Sequence, residues 1–197
     1  IDYYGNKKAF HYKLSEMYAP ILLGLDDAGN DNYKLWICND KQRDIDGRVR
    51  IVVEDMRGNQ MFAFSEVVDV KANSCYRFPK EIAINMTEKM KSDCYARIIF
   101  MEDDTVLSEK IHIFKYPKDM NFIETQLEPK VTFVDAKYHL DFNSKVFVKD
   151  VFVSTTEAGE FSANFFDVLP NVTKTIIFEP EDKKKKDLKF KVHTYNN

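Results

Sequence analysis

Apolar and polar residues alternate with a period of two through most of this chain, and that period leaves little besides antiparallel β-structure open to it. The run Arg48-Val49-Arg50-Ile51-Val52-Val53 mostly sets outward charge against inward β-branched residues, as a half-buried strand requires. Similar runs lie at 33–38, 60–70, 75–78, 94–101 and 109–116, separated by the turn-prone clusters DDAGNDN, NDKQRDIDG, DMRGN and MEDDT. About seven short strands at fairly regular spacing predict an antiparallel sandwich rather than an α/β fold. Tyr116-Pro117-Lys118-Asp119 breaks the pattern, and a second set of strands starts at Val131, strongest at 146–153, 174–178 and 188–194. The expected organisation is therefore all-β, with one sandwich over 19–116 and another over 117–197, each long enough for its own core.

One helix precedes them. Phe10, Leu14, Met17 and Tyr18 fall at i, i+4, i+7 and i+8, a single apolar face, with a turn and N-cap at Gly5-Asn6 and a stop at Pro20. These four are the candidate domain-interface residues. The stripe is expected to be docked on the first sandwich, paired with another copy, or left disordered.

The 197 residues are 44% hydrophobic, with 16 Phe and 10 Tyr, which supplies real cores. Net charge is −3, and Lys and Arg are not concentrated in either half, which speaks against a nucleic-acid partner. No apolar run approaches the ~20 residues of a membrane-spanning helix, so no membrane partner is expected. The chain begins at Ile1 rather than Met and is expected to be a piece of a longer protein. NMT at 85–87 and NVT at 171–173 match the short glycosylation pattern.

Chemistry is hard to find. The carboxylate pairs Asp26-Asp27, Glu54-Asp55, Asp103-Asp104 and Glu181-Asp182 fall at turns or strand ends. Adjacent strand residues point to opposite faces, whereas a glycosidase needs two carboxylates facing each other at about 5–9 Å. DIDG at 44–47 fails as a calcium loop, because aligning Gly47 puts Gln42 and Val53 at the terminal ligand positions. A different calcium site around Asp26, Asp27 and Asp31 is the weaker alternative to solvated turns. His11, His112, His139 and His193 make no metal motif, and no nucleophile elbow or phosphate loop is present. Lys183–Lys186 is flanked by acids and reads as a solvated hairpin loop. Trp36, the single tryptophan, is a weak candidate for stacking on sugar and more naturally a packing residue. Among Cys38, Cys75 and Cys94, an antibody-type bridge from Cys38 to Cys94 has a tolerable spacing. However, Trp36 precedes Cys38 instead of following it, so buried free thiols are expected. Catalytic, metal and cofactor residues are thus expected to be absent.

Three stretches resemble glycoside hydrolase family 2 β-mannosidases. IDYYGNKKAFHY resembles the segment closing their catalytic barrel, and LWICNDKQRDIDGRVRIVVEDMRGN resembles the ND…G…V…DxxG pattern of the following sandwich. GEFSANFFDVLPNVTKTIIF, residues 159–178, resembles the GxFSDNFFDLLPG signature of their C-terminal immunoglobulin-like domain and is the most specific match. Lys7 stands where the family often has Trp, Ala163 where it has Asp, and Asn171-Val172 where it has Gly-Glu. The resemblance implies two tandem immunoglobulin-like sandwiches scaffolding a barrel whose two glutamates perform retaining hydrolysis and lie upstream of Ile1. It makes 1–18 the remnant of the last barrel helix and the barrel the expected partner, with carbohydrate as a second partner. The sequence leaves the compartment open, a periplasmic or otherwise extracytoplasmic parent being the expectation. Other family 2 appendages, from β-galactosidase-like proteins or exo-β-glucosaminidases, are the neighbouring alternative.

Overall fold

The computed structural model describes residues 7–196; the stretch IDYYGN and the N-cap expected at Gly5-Asn6 lie outside them. Contacts divide the chain into two units. One comprises Met17–Asp55 and Asn59–Asn121, the other Ile1–Glu16, Met56–Gly58 and Phe122–Asn197.

The first unit is a sandwich of two antiparallel sheets. One holds β1 (Ile21–Gly29), β2 (Asn32–Asn39), β5 (Ser74–Arg77) and β6 (Ile82–Ala83), with β5 and β6 both on β2. The other has the order β4-β3-β7-β8, from β3 (Ile45–Asp55), β4 (Gln60–Val70), β7 (Cys94–Glu102) and β8 (Thr105–Ile113). Inward positions of both sheets make one core, in which Leu35, Ile37, Ile51, Ile98 and Phe100 are fully buried. Asn30 and Asp31 both take positive φ in the two-residue turn joining β1 to β2, which matches the twist of the strands. The strand β1 is missing from the sequence reading: ILLGLDDAG does not alternate, and four of its first five residues are buried. A six-residue helix, α2 (Glu88–Asp93), capped by Thr87 Oγ1 accepting from Met90 N, precedes β7.

Cysteine pairing departs from expectation. Cys38 and Cys75 are directly opposed in the β2–β5 register and form a disulfide, while Cys94 alone is free and buried. The antibody comparison looked between sheets, whereas this bridge joins neighbours within one.

The second unit stacks the sheet β12-β14-β10-β9 on the sheet β13-β11-β15. Its strands are β9 (Lys130–Val134), β10 (Lys137–Phe142), β11 (Val148–Ser154), β12 (Gly159–Phe161), β13 (Phe166–Val168), β14 (Lys174–Pro180) and β15 (Lys191–His193). Tyr138, Leu140, Phe142, Val148, Val151, Val168, Ile176 and Phe178 fill its core. Asn196 fastens the chain's end: its Oδ1 accepts from Lys149 N, and its Nδ2 donates to the carbonyls of Ile123 and Phe147. β14 and β15 lie in different sheets, so Lys183–Lys186 crosses between sheets and is not a hairpin. The strand expected at 188–194 is shortened to β15, because Leu188 and Phe190 pack against the core instead of pairing.

The N-terminal helix is α1 (Ala9–Met17). Through Glu16 it belongs by contact to the second unit, where Tyr12 meets Phe165 and Lys7, just before the helix, pairs with Glu160 at 3.2 Å. The ring contact that α1 makes, Tyr12 on Phe165, is with the second sandwich and was not among the outcomes expected for the helix.

Candidate functional site

The side chains that looked reactive are occupied structurally. Trp36 is half-buried on β2, its indole lying across Gly24 of β1; a Cβ there would come within 1.9 Å of the ring. Its Nε1 donates to Asp26 Oδ2 at 3.1 Å, and the Lys110 ammonium sits 5.7 Å from the ring centroid. The ring therefore seals its own sheet. Asp27 Oδ1 accepts from Gly29 N, and Asp31 pairs with Lys91 at 2.8 Å, so the three carboxylates proposed for calcium are spent separately. Among the described residues no three His, Cys, Asp or Glu side chains converge as a metal site. Glu54 accepts from the Tyr95 hydroxyl at 2.6 Å and pairs with Arg97, which also binds Glu109 at 2.8 Å. Burial, with Glu54 beside it, holds the Tyr95 phenol well above its ordinary range.

Two of the four lysines in the run are paired where they stand. Lys183 pairs with Glu179 and Lys185 with Glu157, and hydrogen bonds from Lys183 and Lys137 bring the Glu179 carboxyl down to about 2. The histidines are dispersed over α1, β8, β10 and β15. His112 packs edge-on to Tyr33 and Phe114, and burial followed by the nearby Lys110 lowers its pKa.

The motif residues of the two sandwiches do structural work. Asn39 is fully buried; its Nδ2 reaches the carbonyls of Arg43, Val70 and Lys71, and its Oδ1 accepts from Lys41 N. Gly47 leaves room for Phe100, whose ring would stand 2.5 Å from a Cβ. Asp55 takes both the backbone and side-chain N–H of Asn59. In the second signature, Asn164 is buried and copies a strand: Oδ1 accepts from Val153 N and Phe165 N, and Nδ2 donates to Val153 O. That pin lets Phe165 stand at φ 55, a costly conformation for a bulky residue, while Phe166 turns into the core. Asp167 accepts from Asp150 N and from the Lys149 ammonium. Asn171, replacing the family's glycine, keeps a positive φ of 60 that asparagine tolerates.

The helix stripe is an exposed apolar feature. Phe10, Met17 and Tyr18 are 71%, 63% and 80% exposed and Leu14 is half-buried, so among the described residues nothing covers the four candidates fully. The contact α1 does make, through Tyr12, lies off that stripe and escaped the periodicity argument. Tyr12 begins a row of rings on the outer face of β13-β11-β15. Phe165 stacks on Phe152 at 4.8 Å, and Phe152 on His193 at 6.1 Å.

Comparison with known proteins follows the same lines. Residues 31–119 match the family described as the mannosidase Ig/CBM-like domain, and residues 122–197 the mannosidase-type Ig-fold domain. The fold of the β-D-mannosidase from Dictyoglomus thermophilum covers 100% of this chain with a TM-score of 0.79 at 17% identity. This chain spans only 24% of that one. A red sea bream transglutaminase, with a TM-score of 0.33 at 12% identity over 94% of this chain and 33% of its own, carries no argument. The human intraflagellar transport protein 57 homolog is 28% identical over 88 residues, 42% of this chain and 20% of that protein. That stretch is too short to show a family. With both sandwiches matched and the whole fold reproduced, the chain belongs to the immunoglobulin-like region of family 2 mannosidase-type glycoside hydrolases.

Proposed function

We propose that this chain is the non-catalytic immunoglobulin-like scaffold of an enzyme that removes terminal β-mannosides by a retaining mechanism. Its partner is the catalytic barrel of the same parent chain. The observation that carries this reading is the fate of the motif residues. Asn39, Gly47, Asp55, Asn164 and Asp167 act as backbone pins or clearances, which is what scaffold motifs need and catalysis does not. The segments 1–18, 19–116 and 117–197 then serve as barrel-exit helix, first sandwich and second sandwich.

The purified chain is expected to leave an aryl β-mannoside uncleaved, while the full gene product cleaves it. Turnover by the purified chain overturns the proposal, as does a full reading frame without a barrel carrying two suitably spaced glutamates. The rival is a mannan-binding module centred on Trp36, and an indole folded onto Gly24 argues against it. Titration calorimetry with mannooligosaccharides, Trp36→Ala as control, is expected to be flat.

A further inference from the structure

We infer that the outer face of the β13-β11-β15 sheet, with α1 seated at its end, is the surface on which the catalytic barrel rests. The inference deepens the scaffold reading and depends on it. Three observations converge on this face. The rings of Tyr12, Phe165, Phe152 and His193 run continuously from α1 over the residue preceding β13 to β11 and β15, with Phe152 and Phe165 half-buried and His193 exposed. A sheet face meant only for water has no use for stacked phenyl rings.

The second observation is the cost of placing them. Phe165 occupies the left-handed region, and buried Asn164 makes three hydrogen bonds at Val153 and Phe165 that hold it there. Local strain of this kind persists where surrounding structure over-determines it, and it concentrates at functional surfaces.

The third is continuity. α1 already occupies one end of the row through Tyr12–Phe165, with the Lys7–Glu160 pair just before the helix, while its own Phe10 remains 71% exposed. A body that carries α1 as one of its helices would cover Phe10 and meet the uncovered rings beyond Tyr12 together. In the proposed parent that body is the barrel whose last helix α1 is. Aromatic anchors at the centre and charged groups at the edge are the composition of such a contact.

Hydrogen–deuterium exchange of the isolated chain and of the full gene product tests this. Peptides covering 149–154 and 163–168 are expected to exchange about tenfold or more slowly in the full protein, since covered segments open less often. A Phe152→Ser and His193→Ser double variant is expected to leave the isolated chain folded with a cooperative unfolding transition, since His193 is exposed and Phe152 is half-buried outside the core cluster. In the full protein the same variant is expected to abolish the added protection. Equal exchange in the two proteins, with the barrel present, overturns this surface but leaves the scaffold reading standing. Protection that rises with concentration in the isolated chain assigns the face to a second copy and also overturns it. A reading frame lacking the barrel removes the parent reading, and this inference with it.

Discussion

At the scale of single residues, this chain uses its buried polar groups as substitutes for missing strand pairs. Asn164 stands in for a neighbouring strand along β11, and its removal leaves Val153 N and O without partners. Each orphaned buried group costs about 1–3 kcal/mol, so Asn164→Ala is expected to lower stability by at least about 2 kcal/mol in urea denaturation. Phe165 allows a sharper check. At φ 55, glycine is relieved of the Cβ clash that alanine keeps. Phe165→Gly is therefore expected to be more stable than Phe165→Ala by about 1 kcal/mol, the reverse of the usual order. Equal stabilities would show that the backbone relaxes when the ring is gone. The sequence made this corner visible only as a familiar string, NFF. Which Phe faced in and which faced out depended on a side chain replacing a strand, and alternation does not describe that.

At the scale of elements, the most constrained is β5, which pairs only with β2 and carries half of the disulfide. Its bridge closes a sequence separation of 37 residues, so Cys38→Ser with Cys75→Ser is expected to cost roughly 2–4 kcal/mol of stability. An unchanged unfolding midpoint would show that register alone holds β5. On β8, His112 gives the element a pH dependence. Burial and Lys110 favour the neutral ring, against the opposing carboxylates of Asp27 and Asp26. Its folded pKa lies below the ordinary 6.5, so its stabilising share is complete above that value. As pH falls below 6.5 the unfolded chain takes up the proton first, and the share is lost through the lowered folded pKa. His112→Leu is expected to flatten the stability profile between pH 7 and 5, read as denaturation midpoints. Elements that alternate, such as β3 and β4, were legible because one face of each is buried. β1 was not, because Gly24 sits beneath Trp36 and buries a position that alternation assigns to solvent.

At the scale of the whole molecule, the two cores are separate clusters with no residue in common. Phe100→Ala in one and Phe178→Ala in the other are each expected to cost about 3–5 kcal/mol. Their effects should add within about 0.5 kcal/mol in the double variant; a larger interaction would mean the cores unfold as one. That the chain forms immunoglobulin-like sandwiches was readable from the strand spacing, which does not depend on any individual strand. The helix's resting place was not, because an apolar stripe says that something must cover it and nothing about what. Cys94 gives the molecule one further property. Its thiol is buried at the start of β7, and burial together with Asp55 and Asp93 pushes it up to about 11. With the other two sulfurs locked together, a thiol reagent at neutral pH has a single target, reachable only while the first sandwich is open. The rate of modification at Cys94 is thus a built-in clock for how often that sandwich breathes.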